Sequence, residues 1–210
     1  MRSLFNVLLV FTIILFANSC EKEELDTEIA SPVTIDHSKD FLQDLTIERA
    51  DRSSVNFISG EFDGKLIYFT TISSAYYYND TSWNGYFLKS NGLDQINLIR
   101  QTRTDSVQLA IFISQSKMFT RQQFPYNIKN GVNAGIQLIN LKRVFKVVPG
   151  SSEDDSMFTG STFYSLKVQV TSFVDNTLEG TFEGPLKSYS GSTITVKNGS
   201  FRIKVKVDQS

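Results

Sequence analysis

Residues 166–207 run LKVQVTSFVDNTLEGTFEGPLKSYSGSTITVKNGSFRIKVKV. Leu166, Val168 and Val170 alternate with Lys167, Gln169 and Thr171. Leu178, Gly180 and Phe182 alternate with Glu179, Thr181 and Glu183, and Phe201, Ile203, Val205 and Val207 with Arg202, Lys204 and Lys206. Successive side chains of an extended chain leave on opposite faces, so a period of two gathers the apolar groups on one face. A helix would scatter the same groups around its surface. The stretch therefore predicts antiparallel strands with one buried and one wet face, turning at Asp175-Asn176 and again at Asn198-Gly199. The outward Glu179 and Glu183 are expected to face Lys204 and Lys206 across strands, each pair worth about a few tenths of a kcal/mol.

The same period extends upstream. Residues 55–62 and 65–72 flank Asp63-Gly64, a dipeptide suited to the positive φ angles of a two-residue hairpin turn. Further apolar runs cover residues 97–99, 107–113, 136–141 and 144–148. After the N-terminal segment no helical stripe of useful length occurs; residues 41–47 and 118–124 suit only short helical turns. Counting the runs gives roughly eight to ten strands, spaced as in an all-β antiparallel sandwich. A closed, calycin-like β-barrel holding a small apolar ligand is the alternative.

Composition fits one such domain. The chain has 210 residues, 40% of them hydrophobic, with 17 Phe and 8 Tyr, too apolar for a disordered chain. Its 21 Lys+Arg balance 22 Asp+Glu for a net charge of -1, without the basic footprint of a nucleic-acid binder. One cysteine and one histidine leave no material for an internal disulfide or a thiolate–imidazole metal cage.

The N-terminus gives an address. Met1-Arg2-Ser3 is a short basic start, and residues 7–16 form an apolar run. A bilayer-spanning helix needs about 20 apolar residues, so this run suits the core of a signal peptide instead. Small residues follow at Ala17 and Ser19, then Cys20, the one cysteine of the chain. The placement resembles a bacterial lipobox, in which the thiol is acylated and becomes the mature N-terminus. Ala17 and Asn18 stand where that pattern has a leucine and a small residue. The other reading, cleavage after Ser19 with Cys20 left free, exposes a lone thiol in an oxidising compartment. Residues 21–28 then carry five acids and one lysine, and residues 20–40 are expected to form a solvated tether. The expected organisation is a signal peptide over 1–19, an acidic tether over 20–40 and one β domain over 41–210.

Both ends of the mature chain resemble known material. Acidic residues directly after the lipid cysteine are similar to the surface-export signals of Bacteroidetes lipoproteins. The run from Val170 through Leu178-Glu179-Gly180-Thr181-Phe182 to Ile194-Thr195-Val196-Lys197-Asn198-Gly199-Ser200-Phe201 resembles the ending of small uncharacterised β-rich lipoproteins of the Bacteroidetes cell envelope. The resemblance implies an outer-membrane or cell-surface address, held to the membrane through lipid, and says little about activity. It does not extend to residues 73–133.

Candidate chemistry is sparse. His37 falls in the tether, where no scaffold would position it for nucleophilic catalysis. Glu153, Asp154 and Asp155 are the densest acids of the body and offer oxygens to a cation, but without the ladder of a calcium loop they suit a solvated acidic turn. The segment Tyr76 to Phe87 is richer: Tyr77, Trp83 and Tyr86 beside Asn79, Asp80 and Asn84 could stack on sugar rings and bond their hydroxyls, or serve a protein contact. The ordinary role of such aromatics is to plug a core. Asp105-Ser106-Val107 and Asp155-Ser156-Met157 resemble the O-glycosylation motif of the Bacteroidetes periplasm. The expectation is a lipid-anchored, non-catalytic envelope module for a glycan or a partner protein, with no cofactor.

Overall fold

Alternating sequence and paired turns give strands, and in the computed structural model strands are nearly all there is. It describes residues 41–42, 56–72, 85–89, 93–103, 107–115, 124–128, 133–143 and 155–209. The signal segment, Cys20, the tether with His37, the 118–124 segment apart from Phe124, and residues 144–148 lie outside the described residues.

Among the described residues twelve strands join one sheet: β1 (Phe57–Phe62), β2 (Lys65–Phe69), β3 (Gly85–Lys89), β4 (Asp94–Gln101), β5 (Val107–Gln115), β6 (Tyr126–Asn127), β7 (Asn133–Asn140), β8 (Met157–Ser161), β9 (Lys167–Val174), β10 (Thr177–Ser188), β11 (Thr193–Lys204) and β12 (Lys206–Gln209). The main path is β12-β3-β4-β5-β7-β8-β10-β11-β1-β2. β10 is long enough to hold two neighbours on one side, β9 along its first part and β8 at its end, and β6 extends the branch beyond β9. The all-β class is as the sequence implies. The strands form one curled sheet, a half-barrel, rather than two facing sheets or a closed calycin-like barrel.

Chain continuity holds the curl. β12, at one end of the path, follows β11 with only Val205 between them. Val205 is buried and its N–H donates to Asn176 O at 2.7 Å. The strand that pairs with β10 and β1 therefore runs straight on to pair with β3, in parallel, Lys206 opposite Tyr86. A bridge between Thr71 and Gln101, with both N–H···O bonds at 3.0 Å, ties the end of the β2 segment to β4.

Local chemistry explains the turns. Asp63 (φ 45°) and Gly64 (φ 81°) make the expected hairpin, and Asp175 (φ 49°) with Asn176 (φ 60°) makes a second. Positive φ at both central residues matches the right-handed twist of the flanking strands. Asn198-Gly199, expected as a turn, lies within β11 instead. Phe182 pairs with Gly199 and Gly184 with Val196, so Lys197 and Asn198 together oppose Glu183 alone. This is a β-bulge, and Asn198 takes a positive φ of 51° there. A Cβ on Gly199 would lie 2.3 Å from Phe182 O and 2.6 Å from its ring, so close strand approach requires glycine.

One apolar cluster fills the concave side. Phe41, Phe62, Phe69, Phe87, Phe158, Phe182 and Phe201 are its largest fully buried members. Each such ring contributes about 2–3 kcal/mol by leaving water. Phe41 packs edge-on against Phe158 with centroids 5.1 Å apart, so the core already includes residue 41.

Candidate functional site

The convex face of β9, β10 and β11 carries the polar half of the alternation. Register decides what it becomes. Gln169 pairs with Asn127 and with Thr181, Thr181 with Ser200, and Ser200 with Ser59. Opposed residues share a face, so Asn127, Gln169, Thr181, Ser200 and Ser59 form one row of amides and hydroxyls across β6, β9, β10, β11 and β1. Its ends are hydrogen-bonded: Gln169 Nε2 donates to Asn127 Oδ1 at 2.7 Å, and the Ser59 and Ser200 hydroxyls are 3.0 Å apart.

Two charged rows flank it. On one side Lys167 Nζ lies 2.7 Å from Glu183 Oε1. The bond and the charge of Glu183 raise the Lys167 ammonium above its usual pKa, and the same contacts lower the Glu183 carboxyl. On the other side Glu179 accepts from Arg202 Nε at 3.2 Å and from the Ser172 hydroxyl at 3.1 Å. These pairings correct the expected Glu–Lys rows. Lys204 stands opposite Thr177, and Lys206 lies on β12 opposite Tyr86 of β3.

Between the first two rows the bulge opens a groove of about 540 Å³. Its walls are Lys167, Gln169, Glu183 and Asn198 with Asn127 at the edge, and Val168 and Phe182 are the buried apolar residues beneath. The volume falls within the range of small-molecule sites, about 300–1,000 Å³. Amide and hydroxyl donors and acceptors on hydrogen-bonded strands can take a hydroxyl-rich ligand without reorganising.

Of the residues singled out from sequence, the two described ones, Tyr86 and Asp155, are not among the groove's walls. Tyr77 and Trp83 are outside the described residues, as are Glu153 and Asp154. Tyr86 belongs to β3, its backbone paired with Asn97 and Lys206. Asp155 is buried, and Arg143 Nη1 donates to its Oδ2 at 2.8 Å. That acid is held in an ion pair rather than in a solvated acidic turn. Among the described residues no three His, Cys, Asp or Glu side chains gather as a metal would need. Ser156 is also buried, so the folded chain does not present its hydroxyl for glycosylation; Asp105 and Ser106 are outside the described residues. Among the described residues no helix is long and apolar enough to cross a membrane, which leaves strand-built spans untouched.

Lys167, Gln169, Thr181 and Glu183 were legible singly, as outward members of the alternation, whereas Asn198 reads as a turn residue. Nothing in the sequence placed Asn127 beside them. No family model, curated protein or solved structure significantly matches this chain.

Proposed function

We propose that this chain is a lipid-anchored cell-envelope protein whose β domain is a non-catalytic binding module, and that the convex groove takes a glycan. The carrying observation is the row Asn127–Gln169–Thr181–Ser200, beside the groove walled by Lys167, Glu183 and Asn198. Sugar hydroxyls need paired donors and acceptors held at fixed spacing, and neighbouring strands about 4.8 Å apart supply that spacing. Polar side chains on the walls over apolar atoms suit a ligand that carries both hydroxyls and C–H faces. The interior, filled by phenylalanine rings, favours the outer face over an apolar ligand within the curl.

Anchoring rests on the basic start, the short apolar run and Cys20 after Ser19. Several acyl chains, each CH₂ worth about 0.8 kcal/mol, would hold the protein at the membrane where a single chain would not. The resemblance to Bacteroidetes envelope lipoproteins supports the outer membrane or cell surface as the address.

Two experiments test the proposal. Cys20→Ser should move the protein from the membrane to the soluble fraction; retention in the membrane removes the anchor. Calorimetric titration with envelope and host oligosaccharides should give saturable binding that the pair Gln169→Ala/Asn127→Ala weakens by at least about tenfold, as loss of two hydrogen bonds implies. Equal affinity in that variant excludes the groove.

A further inference from the structure

Two aromatic side chains that the core leaves out adjoin the groove. Thr162–Tyr164 form a short 3₁₀ turn between β8 and β9. Thr162 and Leu166 are buried, whereas Phe163 is 59% and Tyr164 76% exposed. Large apolar residues exposed singly are ordinary, but two in succession mark a contact surface.

The turn is held from several sides. Thr162 Oγ1 donates to Ala134 O at 3.4 Å, and Leu166 N–H donates to Ser161 O at 3.2 Å. Ser165 closes it in the left-handed region at φ 70°. Gly184 of β10 lets the chain pass closely, since a Cβ there would lie 2.8 Å from Ser165 O and 2.9 Å from Leu166 Cα. This contact sets the turn beside the groove. Gly184 follows Glu183 and Leu166 precedes Lys167, and those two charged residues are the ion-paired wall. Tyr164 precedes Lys167 by three residues, a span of at most about 10 Å. A chain of sugars leaving the groove over this wall meets Tyr164 next.

Chemistry narrows the sugar. The face of a phenol ring is negative and attracts C–H groups. A pyranose with all its hydroxyls equatorial presents C–H groups on both faces, and an axial hydroxyl interrupts one of them. Lys167 and Glu183 are the charged residues that line the groove, and their charges are spent on each other. The walls therefore offer an acidic sugar no uncompensated cation.

We infer that Tyr164 is the stacking platform of a subsite adjoining the groove, and that the ligand is a neutral β-linked pyranose chain with equatorial hydroxyls, long enough to fill the groove and reach the turn. The inference rests on the convex groove being a glycan site.

The test titrates the full processed chain calorimetrically with cellobiose and cellotetraose. The β-1,4-linked tetramers of mannose, with its axial hydroxyl, and of glucuronate, with its charge, are the comparisons. Cellotetraose should bind saturably and at least about tenfold more tightly than the other three. Tyr164→Ala should weaken cellotetraose about tenfold and remove its advantage over cellobiose, while Tyr164→Phe, which keeps the ring, should stay within about twofold of wild type. Both variants should melt with the wild type, because the side chain is 76% exposed. Absence of saturable cellotetraose binding overturns the inference and leaves the groove to the wider oligosaccharide panel. Tighter binding of either comparison tetramer also overturns it. Loss of affinity in Gln169→Ala/Asn127→Ala with none in Tyr164→Ala removes the platform and keeps the groove. The reverse result removes the groove and, with it, the adjoining subsite.

Discussion

Gly199→Ala is the sharpest test of the bulge that shapes the groove. The added Cβ would sit 2.3 Å from Phe182 O and 2.6 Å from two carbons of the Phe182 ring. Neither neighbour yields easily. The carbonyl belongs to the β10–β11 ladder and the ring is 2% exposed. Relief requires strand separation or repacking of the core, and overpacking of this kind costs about 1–3 kcal/mol. Since a backbone atom is involved, the upper part of that range applies, about 3 kcal/mol. For a domain of this size about 2–4 °C is lost per kcal/mol, so the melting temperature should fall by about 10 °C. Were Asn198-Gly199 an exposed hairpin turn, the same change would cost about 1 kcal/mol through backbone conformation alone. Urea unfolding of the wild type and Gly199→Ala, with Asn198→Gly as a near-neutral control, separates the two. A loss below about 1 kcal/mol would refute the close approach.

Other consequences follow from single contacts. Phe41→Ala should destabilise the protein by about 3–4 kcal/mol in chemical denaturation, since a fully buried ring against Phe158 is deleted. Asp155→Ala removes the buried acceptor of Arg143 Nη1 and should cost about 3 kcal/mol by the same assay; a loss under about 1 would place the pair in solvent. Glu183→Gln should bring the Lys167 ammonium back down toward its ordinary pKa, read by NMR titration of its side chain. The Glu183 carboxyl is lowered in the fold, so its contribution is present above the ordinary carboxylate pKa and is lost as pH falls through the folded value. Both groups are exposed, so the stability midpoint at neutral pH should not move measurably in Glu183→Gln.

Sequence made some of this legible and hid the rest for identifiable reasons. Asp63-Gly64 and Asp175-Asn176 were readable because few residues adopt positive φ, so the turn chemistry is local. Asn198-Gly199 carries the same local signal and serves a bulge, a difference set by the neighbouring strands rather than by the dipeptide. The Glu–Lys rows failed on register: Glu179 meets Arg202 because of how β10 slides against β11, which alternation alone does not fix. The parallel pairing of β12 with β3 joins residues more than a hundred positions apart, and no local pattern announces it. The buried Arg100 did leave a trace, a charge at the inward parity of β4. That its Nε is buried without a hydrogen-bond partner is visible only in three dimensions. The aromatic segment drew attention by composition, whereas the groove is built from residues that look like ordinary strand exteriors.

Amide mapping with isotopically labelled protein tests the central claim most directly. The processed chain would be titrated with whichever oligosaccharide binds best. Shift changes should concentrate on Asn127, Lys167, Gln169, Thr181, Glu183, Asn198 and Ser200, saturating together with one dissociation constant. Changes centred on other strands, or no saturable change with any glycan, would contradict the assignment of the convex groove.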